Sequence, residues 1–196
     1  MSKEEEDYGY TGLHAFVFID RIHGARTPAE VVAGLRALGA PPEGPVIFAS
    51  EFVGPYLAFA HLRVEEDDLS ALQDLITGDL WEQGVRCHYC LEAGVYTNPV
   101  TFQVGGTKRA TPEIIGLVSI VVERGRVQEV LNALGGTEET EAVPGFKGAS
   151  VVTGDFDILL QLGGDELRPV LESAAGALQG IDGIVHTSTA FADGTR

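Results

Sequence analysis

Four residue pairs, Gly54 and Gly154, Tyr56 and Phe156, Leu62 and Leu162, and Val85 and Val185, stand 100 positions apart in equivalent local patterns. A fixed offset of that size in a chain of 196 residues points to two tandem copies of one supersecondary unit. Such a unit cannot bury its apolar face alone, so each copy must be covered by a neighbour.

In the first copy, Leu13 to Asp20 (LHAFVFID) is rich in aromatic and β-branched residues and has the length of a buried strand. Thr27-Pro28-Ala29-Glu30 is a helix start: Thr27 caps, Pro28 suits the first helical position and Glu30 completes a capping box. Val31, Val32, Leu35 and Leu38 then form an apolar stripe at helical spacing, and Gly39 ends it. Pro45 to Val53 and Tyr56 to Val64 are apolar segments separated by Gly54-Pro55, as in a hairpin. Asp67 or Asp68 caps a second helix with Leu69, Leu72, Leu75 and Ile76 on one face. After Gly78, Leu80 and Trp81 are expected to seat the chain under the core, and Val85 to Leu91 closes the unit as a fourth strand.

The second copy repeats that order. Ile114 to Glu123 reads as a strand, Val127, Val130, Leu131 and Leu134 as a helical stripe, and Phe146 to Thr153 with Phe156 to Leu162 as a hairpin about Gly154-Asp155. Leu167, Val170, Leu171, Ala174 and Leu178 give the next helical face, with Pro169 blurring its start, and Ile184 to Phe191 is the last strand. The expected class is therefore α+β, two tandem ferredoxin-like βαββαβ modules. The expected boundaries are an acidic disordered tail over 1–10, a first module over 11–93, a linker over 94–112 and a second module over 113–193. Val100 to Val104 in the linker can add a short edge strand. A sheet with helices on one side leaves its other face bare, so the two sheets are expected to pack face to face, within one chain or between subunits.

Charge narrows the function classes. Thirteen Lys and Arg against 29 Asp and Glu give a formal charge of −16, with no basic patch, which argues against direct nucleic-acid binding and against anionic membranes. The longest uncharged apolar stretch, Ile114 to Val122, is far short of a bilayer span, and Met1 to Tyr10 has no signal-peptide character, so a cytoplasmic protein is expected. Cys87 and Cys90 are expected to be reduced; at strand spacing they face opposite sides, and no second ligand pair completes a metal site around Cys87-His88-Tyr89-Cys90. No phosphate loop, nucleophile elbow or zinc-protease motif occurs: Gly105-Gly106 before Thr107-Lys108-Arg109 lacks the required spacing. No catalytic residue, metal or cofactor is assigned.

Three stretches, Val143-Pro144-Gly145-Phe146, Val152 to Leu160 (VTGDFDILL) and Gly180 to Thr189 (GIDGIVHTST), together resemble the ligand-binding domain of the leucine-responsive/asparagine-responsive (Lrp/AsnC) family of feast-or-famine regulators. The likeness spans most of Ile114 to Asp193. It implies sheets packed as in a dimeric α/β barrel, homo-oligomers, and an amino acid or similar small effector bound without catalysis. It also implies that the turn matching Gly154 to Asp157 and the strand matching Thr187 to Thr189 touch that effector. The family's helix-turn-helix DNA reader is replaced here by a second sensor-like copy. The implied role is then modulation of transcription through assembly, with full-length Lrp/AsnC regulators as possible partners.

The candidate ligand-binding residues are Thr153, Gly154, Asp155, Phe156, Asp157, Thr187, Ser188 and Thr189, with Gly54, Tyr56 and His88 at matching positions of the first copy. If the strand continues through them, Asp155 and Asp157 share a face and can hold an ammonium group; otherwise Gly154-Asp155 is turn chemistry and both acids are solvated. Thr187 and Thr189 likewise share a face that can bind a carboxylate, although threonine is common in strands. The first copy reads as degenerate: Gly54-Pro55-Tyr56-Leu57 lacks both acids, and Arg86-Cys87-His88-Tyr89 stands where the second has His186-Thr187-Ser188-Thr189. The competing reading is a dimeric α/β barrel enzyme, a monooxygenase or haem-related, with His61, Arg86, His88 and His186 as residues to test.

Overall fold

The computed structural model describes residues 13–40, 43–64, 69–80, 84–96, 114–136 and 142–193. The acidic tail, Asp67 and Asp68, Trp81, Val100 to Val104 and most of the linker lie outside these described residues.

The first module runs β1 (Leu13–Ile22), α1 (Pro28–Arg36), β2 (Val46–Glu51), β3 (Ala58–Val64), α2 (Leu69–Asp74, continued as a π-helical turn over Leu75–Leu80) and β4 (Val85–Tyr96). The second runs β5 (Ile114–Val122), α3 (Val127–Gly135), β6 (Phe146–Thr153), β7 (Ile158–Gly164), α4 (Leu167–Glu172, continued through Ser173–Ala177 and Leu178–Gly180) and β8 (Ile184–Asp193). The start of α1 is the expected capping box. The Thr27 amide donates to Glu30 Oε2 at 2.7 Å, and the Glu30 amide donates back to Thr27 Oγ1 at 3.3 Å. Pro169 falls in the first turn of α4, where its missing N–H removes no intrahelical bond.

All eight strands form one sheet in the order β2-β3-β1-β4-β6-β7-β5-β8. Each module contributes four consecutive strands in the same internal order, and β4 joins β6 across the boundary from Leu91 opposite Thr153 to Tyr96 opposite Ala149. The opposite seam closes at one bridge: the Val53 amide donates to the Phe191 carbonyl at 2.7 Å, and the Phe191 amide donates back at 2.9 Å. Leu91 with Thr153 and Phe191 with Val53 are the same pairing one repeat apart, so the sheet is a barrel with an approximate two-fold axis. Both modules pair within the one chain. β4 runs five residues past the expected Leu91 because β6 offers a ladder there that no local pattern announces.

Strand alternation sorts the side chains into three cores. Ala15, Val17, Ile19, Ala58, Ala60 and Leu62 face α1 and α2, and Val118, Ile120, Ile158, Leu160 and Leu162 face α3 and α4. The third core fills the barrel, with Phe16, Phe18, Phe52, Phe59 and Phe156 packed against Ile115, Leu117, Val152 and Leu159. Burying each of these large side chains is worth about 1.5–3 kcal/mol, which makes the barrel interior the main force holding the modules together.

Candidate functional site

Two turns rim one end of the barrel. Gly54 has φ 142° and Gly154 φ 145°, and each presses on the last strand of the other module. A Cβ on Gly54 would lie 2.8 Å from the Thr189 carbonyl oxygen, and one on Gly154 would lie 3.3 Å from Cys90 Cβ. Both conformation and proximity therefore call for glycine. Behind these glycines, Tyr56 and Phe156 converge on Phe18, with ring centroids 4.9 and 5.3 Å from it. Tyr56 shares a side-chain hydrogen bond with Ser119 of the other module, and burial pushes its hydroxyl's pKa up. Phe18 and Phe156 are buried in the barrel core, and Tyr56 alone of the three rings is partly open at this end.

A charged cluster stands at the same end. Asp20 Oδ2 lies 2.9 Å from Arg86 Nη2 and 3.3 Å from His88 Nε2, and His88 Nδ1 lies 3.5 Å from Asp155 Oδ2. The side chains are 19% exposed for Asp20, 44% for His88, 49% for Arg86 and 81% for Asp155. His88 thus has one carboxylate at each ring nitrogen, the inner one held by Arg86 and the outer one in solvent. Two acids on opposite nitrogens do not converge on one ion, and no group of three or more His, Cys, Asp or Glu among the described residues is placed to hold a metal.

The repeat supplies an internal control for what packing alone requires. Ile19 pairs with Ala58 and Cys87 as Ile120 pairs with Ile158 and Thr187, which aligns Asp20 with Val121, Arg86 with His186 and His88 with Ser188. The same strand positions are thus filled by Val121 and Ser188 on the far side of the mouth, so the fold itself does not demand the cluster. At the other end of the barrel, His14 Nδ1 and His61 Nε2 are 2.8 Å apart and buried. Burial, together with Arg63, lowers the His14 pKa, and burial, together with His14, lowers that of His61 to about 3. Beyond them Glu92 is bonded by the Ser150 hydroxyl, and burial raises its carboxyl's pKa.

The expected site residues separate in space. Asp155 reaches His88, whereas Asp157 Oδ2 accepts the Val122 amide at 2.8 Å and ties the hairpin to β5. Ser188 pairs with Ser119, on the barrel side, while Thr187 and Thr189 pair with Ile120 and Val118, whose side chains face the helices. The Thr153 hydroxyl donates to the Leu91 carbonyl at 3.4 Å in the β4–β6 seam. Gly54, Tyr56, Gly154, Phe156, Asp155 and His88 do gather at one mouth. Sequence reasoning missed Asp20, an acid closing a strand of otherwise apolar character. Cys87 and Cys90 face opposite sides of β4, and burial pushes their thiols to about 11 and about 12.

This architecture is the dimeric α/β barrel in a single chain. Three solved structures share it. One is an anthrone oxidase-like protein, with TM-score 0.54, 12% identity and coverage of 96% of this chain and 95% of that one. Another is a mutant chlorite dismutase from Candidatus Nitrospira defluvii in complex with cyanide, with TM-score 0.55, 14% identity and coverage of 97% and 95%. A second mutant of that chlorite dismutase has TM-score 0.52, 15% identity and coverage of 92% and 91%. At such identities the likeness is one of fold. No family model matches the chain, and no curated protein matches it.

These findings correct two expectations. The Lrp/AsnC resemblance is not sustained, and the amino acid binding and transcription regulation it implied go with it. Its three motifs fall on turn glycines, Gly145 at φ 77°, Gly154 at φ 145° and Gly183 at φ 92°, which serve the geometry of a βαββαβ hairpin and strand entry whatever the function. The reading of a protein that does not catalyse is also withdrawn, because the structures that share the whole barrel carry the names of an oxidase-like protein and a dismutase. No helix of the described residues is long and apolar enough to cross a membrane.

Haem finds no histidine in an open cavity among the described residues: His14 and His61 are buried against each other, and His23, His88 and His186 lie at the surface. A hollow of about 450 Å³ on the helix side of the first module is lined by Ile76, Thr77, Val85 and Cys87, without a histidine. Burial keeps Cys87 a thiol rather than a thiolate ligand.

Proposed function

We propose that the protein is a dimeric α/β barrel enzyme of the oxidase or monooxygenase kind, with His88 accepting a proton from a planar aromatic substrate at the barrel mouth. The observation that carries this reading is His88 held between Asp20 and Asp155 beside the rings of Phe18, Tyr56 and Phe156. Fold likeness to an anthrone oxidase-like protein supports it.

With Nε2–H donated to the less exposed Asp20, Nδ1 carries the lone pair, and the solvent-facing Asp155 is the partner that gives way to a substrate. The partly exposed ring of Tyr56 supplies stacking, with ring pairs worth about 0.5–1.5 kcal/mol beyond burial. His88 then takes a proton from a methylene flanked by aromatic rings, and the positive charge it gains is offset by Asp20 at Nε2. The carbanion is oxidised by dioxygen as co-reactant: the methylene and one O2 give the carbonyl and one water.

Oxygen uptake with anthrone as probe tests the reading. His88→Gln is expected to lower the rate about 10²–10⁴-fold, the usual contribution of a general base. A wild-type protein that consumes no oxygen with anthrone or related aromatic carbon acids overturns the reading, as does an unchanged rate in His88→Gln.

A further inference from the structure

His88 stands between two carboxylates, and two negative charges on one imidazole favour its protonated form. A ring that is to accept a proton has to be neutral beforehand, so part of that negative charge must be offset. The charged groups described at this place are Asp20 and Arg21 from β1, Arg86 on β4 itself and Asp155 from the β6–β7 turn. The Tyr56 hydroxyl reaches the same surroundings from the β2–β3 turn. Arg21 stands opposite Arg86 on the neighbouring strand and is exposed, whereas Arg86 is bonded into the cluster.

Arg86 takes the same oxygen that His88 uses. Asp20 Oδ1 is buried and accepts no hydrogen bond from the described residues, so both partners meet Oδ2, Arg86 Nη2 at 2.9 Å and His88 Nε2 at 3.3 Å. The two nitrogens therefore lie within about 6 Å of each other, the range in which one charge acts on another group's proton. Arg86 and His88 are two residues apart on β4 and share its face. We infer that Arg86 is a positioning residue: its guanidinium draws the Asp20 charge away from His88 and so keeps the ring an unprotonated base. The inference rests on the proposed role of His88 and names the residue that sets when the ring is available. The second module agrees, since Val121, His186 and Ser188 fill the three equivalent places: where the acid and the imidazole of the pair are missing, so is the arginine.

An NMR titration of the full chain against pH tests this without turnover, the His88 ring signals being identified by their loss in His88→Gln. Arg86→Gln removes the cation and keeps a polar side chain. It is expected to move the midpoint at which His88 takes up its proton upward by roughly half a pH unit to one unit, the low end of the effect of a neighbouring charge because Arg86 is half exposed. Arg86→Lys restores the charge and is expected to bring the midpoint most of the way back. A midpoint unchanged or lowered in Arg86→Gln overturns the inference. So does a midpoint in Arg86→Lys equal to that of Arg86→Gln, which would mean that the charge is not what acts. In oxygen uptake with anthrone, the acidic limb of the pH–rate profile should move up in Arg86→Gln as the titration does; a limb that stays in place in an active enzyme also overturns the inference. Because the titration needs no turnover, a protein that consumes no oxygen sinks the enzymatic reading alone, and a midpoint indifferent to Arg86 sinks this inference alone.

Discussion

At the scale of single residues, the chain places ionisable groups inside its barrel at positions where the repeat offers uncharged ones. His14 corresponds to Ile115, His61 to Gln161 and Arg63 to Gly163. The pKa of both histidines is lowered in the folded state, that of His61 to about 3, against 6.5 when unfolded. The unfolded chain therefore binds more protons than the native one once pH drops below 6.5, and folding stability falls as pH falls. The contribution is fully present at neutral pH and is lost across the window from 6.5 toward 3. Thermal unfolding followed as a function of pH should show the melting temperature dropping through this window. His61→Gln, the substitution the second module carries, should flatten the drop; an equally steep decline in that variant would show that His61 does not set the acid limit.

At the scale of elements, the hairpin turns fix the distance between modules. Gly54→Ala forces a Cβ to within 2.8 Å of the Thr189 carbonyl in a backbone conformation that L residues rarely adopt. It should destabilise by about 1–3 kcal/mol in urea unfolding. An alanine variant as stable as wild type would mean that the seam between the β2–β3 turn and β8 carries no strain. Local chemistry made most elements readable: Thr27 and Glu30 announced α1, and Gly54-Pro55 and Gly154-Asp155 announced the two turns. What stayed hidden was long-range. Gly94 to Tyr96 read as linker because only β6, more than 50 residues away, makes them strand. The site was legible in part for the same reason: Asp155 and His88 could be named, but nothing local tells that they meet, that Asp157 turns back to β5, or that Asp20 joins them.

At the scale of the whole molecule, two-fold repetition separates what the fold needs from what the chemistry needs. The interior face of the second module, with Ile115, Leu117, Val152, Phe156 and Leu159, is buried only because the first module covers it. Each of those side chains loses about 1.5–3 kcal/mol if left in water, and a patch of this size does not remain bare on a soluble domain. Residues 113–193 produced alone should therefore form a symmetric homodimer, with β8 of each copy beside β6 of the other, repeating the β4–β6 seam and the Val53–Phe191 bridge of the full chain. Light scattering coupled to gel filtration reads the mass; a folded monomer would show that the barrel core is dispensable and that the modules are independent. In the homodimer Val121, Ser188 and His186 line both sides of the mouth, where the full chain has Asp20, His88 and Arg86 on one. It should keep the barrel and lose oxygen uptake, because the side chains proposed for proton transfer all sit in the first module except Asp155.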